Sequence, residues 1–329
     1  MSNKGISVII PNYNGVELLP KILPPLFNAL AFAALPYEII ISDDCSTDGS
    51  VSFLQKEFPE IKLIANKENK GFSPTINKGI FAAQYDYVLL LNSDVILDEN
   101  YFIHLFRYFD KKDTFGVMGR MVGWDDDLIQ DAAKYPSFHG AKIKTTGNYL
   151  PETINKNEWL YCMYLSGANA FVDRKKLLAL HGFNEIFAPF YVEDFELSLR
   201  AWRLGWKCYY EHFALCRHKT SVSIKNKNSK KFISTIYYRN KMFLHAIHLS
   251  GGKLILWYLQ LIPETILRFI TGRFYYFTSL RLFFSNRHLV KQSQQKIIEL
   301  SGQTNTLLSV DNVVKEISRS LKDKLIKRF

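Results

Sequence analysis

The sequence is poor in cysteine and has no pattern that would organise the few it contains. Four cysteines are spread over 329 residues, and no Cys-x-x-Cys pair occurs, which argues against a disulfide-stapled scaffold. Cys208, His212, Cys216 and His218 lie close together in the sequence, but their spacing matches no zinc signature. The sequence therefore predicts neither a disulfide framework nor a structural zinc site.

Several common motifs and segments are also missing. Neither the Gly-x-Gly-x-x-Gly dinucleotide fingerprint nor the phosphate loop that ends in Gly-Lys-Ser/Thr occurs. No uncharged apolar run reaches the ~18 residues of a membrane-spanning helix. The first ten residues lead into a strand-like run without the features of a signal peptide, so we expect a cytoplasmic location. A hydrophobic content of 47% argues against disorder.

Acidic residues are scarce in the last third of the chain. The net charge of +11 divides into −4 for residues 1–218 and +15 for residues 219–329. A segment this basic suits an anionic partner, either nucleic acid or the anionic lipid of a membrane surface. No nucleic-acid-binding motif is visible, so nucleic acid is not predicted as a partner.

The first 120 residues alternate between short apolar strands and helical stretches. This alternation predicts an α/β fold with a buried, mostly parallel sheet, whose ligands bind at the carboxyl ends of the strands. The expected strands include residues 6–10, 37–42, 62–65 and 87–91, and a helix is expected at 99–109. Residues 121–160 read as a long excursion or flap.

Polar clusters follow three of these strands, at residues 11–15, 43–50 and 92–94. An aromatic ring such as Tyr13 can stack on a nucleobase at a strand end. Asp44 can accept from a base N–H or a ribose hydroxyl, and Asp94 suits a divalent cation that bridges two phosphates. Each cluster is also compatible with an ordinary turn or helix cap.

An adjacent acid pair, Glu193-Asp194, follows an aromatic run and opens a helical pattern. Leu197, Ala201 and Leu204 form one apolar face of that helix. A carboxylate beside apolar walls can have a raised pKa and act as a base near neutral pH. The alternative is that Asp194 caps the helix.

The order of these motifs resembles the family-two, GT-A-fold inverting glycosyltransferases, in particular the rhamnosyltransferase-like branch of bacterial surface-polysaccharide synthesis. The resemblance covers residues 5–245. It rests on Ser-Val-Ile-Ile-Pro-Asn-Tyr-Asn at 7–14, Asp-Asp-Cys-Ser-Thr-Asp-Gly-Ser at 43–50, Leu-Leu-Asn-Ser-Asp at 90–94, Ser-Gly-Ala-Asn at 166–169, and Glu193-Asp194 followed by Arg200 and Gly205.

The resemblance implies a role for each matched position. Asp194 would be the base that takes a proton from an acceptor hydroxyl, and Glu193 would orient the base or the acceptor. The nucleotide-sugar donor would be bound by Pro11, Tyr13, Asp44, Asn77, Asn92 and Ser93. Asp94 and His218 would hold Mg²⁺ or Mn²⁺, and Gly167, Ala168 and Asn169 would face the acceptor. The metal motif contains one carboxylate where many relatives have two.

The expected organisation is a GT-A catalytic domain at residues 1–222 and a helical, basic and aromatic extension at 223–329. Pro263 is expected to kink or break the first apolar run of that extension. Its segments suit amphipathic helices that lie in a membrane surface, or a helical subdomain that packs on the catalytic core.

The resulting functional expectation is an inverting glycosyltransferase that acts on a saccharide acceptor, which is expected to be lipid-linked. It would work as a peripheral protein at the inner face of the plasma membrane. The alternative is a catalytically inactive GT-A-like membrane scaffold, against which the intact set of Asp44, Asp94 and Asp194 argues.

Overall fold

The computed structural model describes residues 3–144, 147–219 and 229–329. The expected domain boundary between residues 222 and 223 lies outside them. The strands are β1 (Ile6–Asn12), β2 (Tyr37–Asp43), β3 (Lys62–Ala65), β4 (Tyr87–Leu91), β5 (Val95–Leu97), β6 (Thr114–Gly123), β7 (Ile129–Asp131), β8 (Ala133–Lys134), β9 (Phe138–His139), β10 (Lys142–Ile143), β11 (Asn148–Pro151), β12 (Leu160–Tyr161), β13 (Asn169–Asp173), β14 (Lys207–His218) and β15 (Ile326–Arg328).

The helices divide between the two halves of the chain, and none of those described is long and apolar enough to cross a membrane. They are α1 (Leu19–Ala33), α2 (Ser50–Glu57), α3 (Phe72–Ala82), α4 (Arg174–Ala179), α5 (Glu193–Arg203), α6 (Lys230–His248), α7 (Gly251–Ile270), α8 (Tyr275–Ser285), α9 (Arg287–Thr304) and α10 (Val310–Arg319).

The central sheet has ten strands and confirms the predicted α/β fold. Its main path runs β12-β14-β6-β13-β4-β1-β2-β3, with β5 on β14 and β7 on β6. Strands β3, β2, β1 and β4 are mutually parallel, β13 runs antiparallel to β4 and β6, and β6 is parallel to β14. Val8, Ile9 and Ile10 are all 0% exposed, because helices cover both faces.

Two helical expectations need correction. Residues 99–109 form tight turns and a short 3-10 helix, Phe106–Asp110, because Tyr101, Phe102, Leu105 and Tyr108 are buried by successive turns that reproduce a helical spacing. Helix α7 continues through Pro263. The carbonyl of Leu259 there loses its N–H partner on an exposed side of the helix, where water can replace it.

The C-terminal helices pack on the N-terminal α/β half in one continuous core. Phe195 and Trp202 of α5 share this core with Phe243 of α6, Trp257 of α7 and Val313 of α10. Strand β15 then pairs with β11 in the excursion. The expected packing subdomain is therefore present, although α7 also keeps an exposed apolar face.

Helix α5 lies at the centre of this junction. Glu196 and Arg200, one helical turn apart, form a buried ion pair, in which Arg200 donates to both carboxylate oxygens, at 3.1 and 2.9 Å. Arg200 also donates to the carbonyls of Leu180 and Gly182. His248 of α6 lies 3.3 Å from Glu196, so the ion pair joins α5 to the C-terminal helices.

We predict that His245 contributes a measurable pH dependence to stability. Burial lowers the pKa of His245 to about 3 and that of His248 to about 4. Below pH ~6.5 each of these histidines takes up a proton in the unfolded chain but stays neutral in the folded chain. Each therefore lowers the free energy of unfolding by about 1.4 kcal/mol for every unit by which the pH falls. His245→Phe should remove that share of the slope between pH 6.5 and 4. Urea unfolding at several pH values measures it, and equal slopes in parent and variant would contradict the prediction.

Candidate active site

The first two polar turns are tied together by hydrogen bonds. Asn12 donates to Asp43 at 2.7 Å, the N–H of Thr47 donates to Asn14 at 2.7 Å, and the N–H of Val16 donates to Asp48 at 2.9 Å. Pro11 and Tyr13 therefore sit in a fixed turn at the carboxyl end of β1, where the Tyr13 ring is 39% exposed.

Asp44 organises the next loop. Its carboxylate, 5% exposed, accepts from the N–H groups of Lys70 at 2.8 Å and Gly71 at 2.9 Å, and from the amide of Asn66 at 2.8 Å. These bonds bring residues 66–71 against the end of β2. The capping alternative applies to Asp48 and not to Asp44: Asp48 accepts from the N–H of Ser50, the first residue of α2, at 3.0 Å, although the N-cap residue Gly49 has no side chain to contribute.

The loop of residues 66–71 also contacts the segment that precedes the acid pair. The N–H of Phe72 donates to the carbonyl of Pro189 at 2.8 Å. Gly71 has a φ of +85°, and a Cβ there would lie 2.5 Å from the Cα of Pro189. Only glycine fits this contact, which joins the predicted donor side to the predicted catalytic side.

Asp94 and His218, far apart in sequence, lie side by side. Strands β5 and β14 pair antiparallel and place His218 opposite Val95. The Nε2 atom of His218 lies 3.5 Å from a carboxylate oxygen of Asp94, and its Nδ1 atom lies 2.9 Å from the side-chain oxygen of Gln130. A histidine fixed through one ring nitrogen, with the other directed at a carboxylate, has the usual arrangement of a metal ligand.

These residues fit a divalent ion that is completed by substrate. The second carboxylate oxygen of Asp94, Oδ1, is buried and has no hydrogen-bond partner in the described part of the chain. Within the same residues no group of three or more His, Cys, Asp or Glu side chains could hold a metal. Asp94 and His218 would supply two ligands, which leaves the remaining positions to phosphate oxygens and water.

Gly167 and Ala168 connect this strand end to the acid pair. The N–H of Asn92 donates to the carbonyl of Ala168 at 3.2 Å. A Cβ on Gly167 would lie 3.7 Å from the Cβ of Asp194. The predicted metal side and the predicted base are thus separated by a two-residue bridge.

Two of the predicted site residues, Asn169 and Asn77, have buried side chains. Asn169, which was expected to face the acceptor, is 0% exposed, and its amide donates to the carbonyl of Gly119 and to Cys216 inside the sheet, so its acceptor-side role stays a prediction. Asn77 is buried in α3, where its amide bonds Phe183 and Glu185. Its role in donor binding stays a prediction.

At the start of α5, Glu193 is buried and Asp194 is half-buried. Asp194 accepts from the N–H of Phe195 at 2.7 Å, whereas the N-cap position is Val192 and has no side-chain cap. Burial raises the pKa of Asp194, although the N–H groups of Phe195 and Gly167 and the charge of Lys134 oppose the rise. Burial and the adjacent Asp194 charge raise the pKa of Glu193 to about 8.

Lys134 was not identified from the sequence. Its ammonium forms an ion pair with Asp131, donates to Asn148 at 2.8 Å and lies 5.1 Å from the centre of the Tyr164 ring. Burial lowers the pKa of Lys134 to about 8, while the charge of Asp194 opposes this shift. A single lysine in an irregular stretch carries no sequence signal that would connect it to a base sixty residues later.

Asn240 of α6 was also missed. Its amide nitrogen donates to the carbonyls of Phe187, Phe190 and Tyr191 at 2.6–2.9 Å. Arg239 in turn donates to the Asn240 side-chain oxygen at 2.8 Å. These bonds hold the loop that enters α5, in which Tyr191 and Val192 both have a φ of +75°.

The chain belongs to the family described as Glycosyl transferase family 2, whose model matches residues 7–178. It is 33% identical over 110 residues to a poly-beta-1,6-N-acetyl-D-glucosamine synthase of Staphylococcus aureus, a match that covers 32% of this chain and 26% of the relative. A chondroitin synthase of Escherichia coli is 23% identical over 259 residues, which cover 69% of this chain and 36% of the relative. The matched region thus spans only a quarter to a third of these relatives.

Solved structures confirm the predicted GT-A type of fold. GalNAc-T7, solved with UDP, GalNAc and Mn²⁺, has a TM-score of 0.64 at 14% identity, over 97% of this chain and 57% of that one. S. aureus TarS has a TM-score of 0.52 at 16% identity, over 90% and 49%. The mannosyltransferase PcManGT of Pyrobaculum calidifontis, with GDP-Man and Mn²⁺, has a TM-score of 0.51 at 12% identity, over 96% and 80%.

We predict that Asn240→Leu loosens the loop before the acid pair. Leucine has a similar volume but leaves the three buried carbonyls without a donor, so the free energy of unfolding should fall by about 2 kcal/mol or more. Hydrogen exchange should speed up at residues 187–195. Asn312→Leu, at an exposed position of α10, is the matched control. Unchanged exchange at 187–195 in Asn240→Leu would contradict the prediction.

Proposed function

We propose that this protein transfers a sugar from a nucleotide-sugar donor to a hydroxyl group of a saccharide acceptor in surface-polysaccharide synthesis. One observation carries the proposal: the Asp94–His218 pair and the acid pair Glu193-Asp194 lie on either side of the Gly167–Ala168 bridge. Membership of the family and the polysaccharide-synthase relative support this class of reaction. The rhamnosyltransferase-like branch stays a prediction.

The donor side would be built on the first two strand ends. The exposed Tyr13 ring offers a stacking surface for a nucleobase, and Pro11 and Asp44 shape the turn beside it. Asn92 and Ser93 lie next to Asp94, where the diphosphate would be held. UDP and GDP-Man in the structures of GalNAc-T7 and PcManGT support a nucleotide-sugar donor.

Asp94 and His218 would hold a divalent ion, Mg²⁺ or Mn²⁺, with Gln130 fixing the histidine ring. Such an ion, when bound, neutralises the charge that gathers on a departing nucleoside diphosphate. Mn²⁺ in two of the structural neighbours supports a metal of this kind.

Asp194 would act as the general base. A sugar hydroxyl is a weak nucleophile until a positioned group accepts its proton, and such a base typically contributes ~10²–10⁴-fold to the rate. Asp194 lies across the Gly167–Ala168 bridge from the donor side. A base on the face of the sugar opposite the leaving group gives displacement with inversion.

The neighbouring carboxyl groups would take different protonation states. Asp194 accepts an N–H bond and is near Lys134, both of which favour its charged form. Glu193 has no partner for its Oε2 atom among the described residues, and its pKa of about 8 favours the protonated form at neutral pH. Burial raises the pKa of both groups, but the Asp194 charge adds to the rise at Glu193 whereas the Lys134 charge opposes the rise at Asp194. This asymmetry would allow Asp194 to serve as the base while Glu193 orients a substrate hydroxyl.

The acceptor would be presented at a membrane, at the inner face of the plasma membrane. Helices α7 and α8 and the turn between them expose large apolar side chains, among them Ile255, Leu259, Ile262, Phe274 and Phe284, in the part of the chain with the greatest excess of positive charge. A peripheral position of this kind suits a lipid-linked saccharide acceptor.

Asp194→Asn tests the proposed base. The amide keeps the shape of the side chain but cannot accept the proton, so we expect the rate of sugar transfer to fall by about 10²–10⁴-fold. Binding of the nucleotide sugar should stay unchanged. Transfer is measured by mass spectrometry of the products, and donor binding by calorimetry. Transfer that survives the substitution would remove Asp194 from the mechanism, and a parent protein that binds donor without transferring sugar would favour the scaffold alternative.

Asp94→Asn and His218→Gln test the metal site. Each should weaken Mn²⁺ binding in the presence of nucleoside diphosphate by about tenfold or more, because each removes a ligand. Electron paramagnetic resonance of free Mn²⁺, with UDP, dTDP or GDP in turn, gives the affinity and also the preferred base. His212→Gln, on the same strand but bonded to Arg120 and Tyr210, is the control. Equal Mn²⁺ affinity in all three variants would rule out this site.

A further inference from the structure

A cavity of about 410 Å³ lies where the β9–β10 hairpin meets α6, α7 and the start of α8. Four cationic side chains line it: Lys142, Lys241, Arg268 and Arg273. Among the described lining residues, Glu264 provides the only carboxylate. A recess with this charge balance attracts an anion.

The guanidinium group of Arg268 packs against two aromatic rings in this cavity. Its guanidinium carbon lies 4.2 Å from the centre of the Tyr238 ring and 4.6 Å from that of Tyr276. The two rings fix the plane of the group without using its hydrogens. Its Nη1 atom is buried and has no acceptor in the described part of the chain, so a hydrogen bond is missing at this point.

Glu264 cannot supply that acceptor, because its own oxygens are already engaged. They accept from Lys142, from Gln260 at 3.2 Å and from the Tyr276 hydroxyl at 3.3 Å. Burial, assisted by the charges of Lys241 and Arg268 and opposed by Glu264, lowers the pKa of Lys142. Without a further negative group, the cationic side chains that line the cavity therefore repel one another.

An exposed apolar face of α7 meets the cavity at one edge, through Leu267, which lines the cavity and is 61% exposed. Ile255, Leu259, Ile262, Ile266 and Ile270 continue this face away from the cavity at helical spacing, and each is 56–74% exposed. At about 100° per residue they lie on the side of the helix opposite Glu264 and Arg268. The stretch from Ile255 to Ile270 is about 22 Å long, which is far more apolar surface than a free anion would need.

We infer that this cavity binds the phosphate headgroup of an anionic membrane lipid, whose acyl chains lie along the exposed face of α7. A guanidinium with an orphan N–H and neighbouring ammonium groups match the oxygens of a phosphate ester. The inference rests on the membrane association in the proposed function and adds a specific headgroup site to it.

Binding of short-chain lipids that stay monomeric separates the headgroup from the bilayer. Calorimetry would compare dihexanoyl phosphatidic acid, dihexanoyl phosphatidylcholine and inorganic phosphate. We expect phosphatidic acid to bind, and Arg268→Gln to weaken it by about ten- to a hundredfold, the range for a lost hydrogen bond to a charged group. Lys21→Gln, which removes one exposed charge from α1, should have no effect.

Inorganic phosphate binding as tightly as phosphatidic acid would overturn the lipid assignment, and equal binding of phosphatidylcholine would overturn the phosphate assignment. Arg273→Gln, at the exposed rim, keeps the test valid if Arg268→Gln fails to fold and should weaken binding in the same direction. Ile262→Ser with Ile266→Ser should reduce flotation with vesicles of phosphatidylcholine and phosphatidylglycerol. If flotation is unchanged, α7 does not contact the bilayer.

Mn²⁺-dependent nucleotide binding is measured on the same variants and should stay at the parent level. Loss of lipid binding with nucleotide binding intact supports the cavity alone. A parent protein that binds the lipid but no nucleotide would refute the proposed transferase and leave the headgroup site standing.

Discussion

The buried ion pair of Glu196 and Arg200 is the interaction on which the rest of the structure depends. Glu196 is 0% exposed and meets both a guanidinium and the His248 ring, while the remaining hydrogens of Arg200 reach the carbonyls of Leu180 and Gly182. Desolvating two charges offsets much of their attraction, so the pair adds little net stability compared with an apolar substitute. Its value is geometric, since removing either partner leaves an uncompensated buried charge.

By fixing the position of α5, the ion pair determines the direction of the Glu193 and Asp194 side chains. Helix α5 begins at Glu193 and is fixed at its middle to the loop after α4 and to the end of α6. Asn240, also on α6, holds the loop that precedes α5. The C-terminal helices thus form part of the support for the acid pair, although they lie far along the chain from the strand-end motifs. A division into a catalytic domain and a separate appendage would miss this dependence.

Much of the first half could be predicted because the signal there is local. Strands β3 and β4 are short apolar runs whose predicted bounds agree with the structure, and the polar residues that follow parallel strands necessarily meet at one edge of the sheet. Asp94 and His218 were placed together through family resemblance, and the β5–β14 pairing gives the physical reason.

The remainder depends on contacts between distant residues. Lys134 and Asn240 belong to segments with no motif, and only the folded chain brings them to the acid pair. Asn169 looked accessible because it follows Gly167 and Ala168, yet β13 has already entered the sheet at that residue. Apolar residues at 99–109 are buried at helical spacing, but the backbone there does not form the predicted α-helix. Periodicity indicates which side chains are buried, and it does not determine which backbone conformation buries them.

The loop before α5 shows what these distant contacts achieve. A φ of +75° is unusual for Tyr191 and a clear outlier for the β-branched Val192. Such residues cost on the order of 1–3 kcal/mol each and persist only where their surroundings determine the backbone completely. Here the surroundings are Asn240, which donates to three carbonyls of the loop, and Pro189, which is packed against Gly71. Because Gly71 belongs to the loop held by Asp44, the strained backbone lies between that loop and the acid pair. The conformation that directs Glu193 and Asp194 therefore depends on the Asp44-bound loop from one side and on α6 from the other.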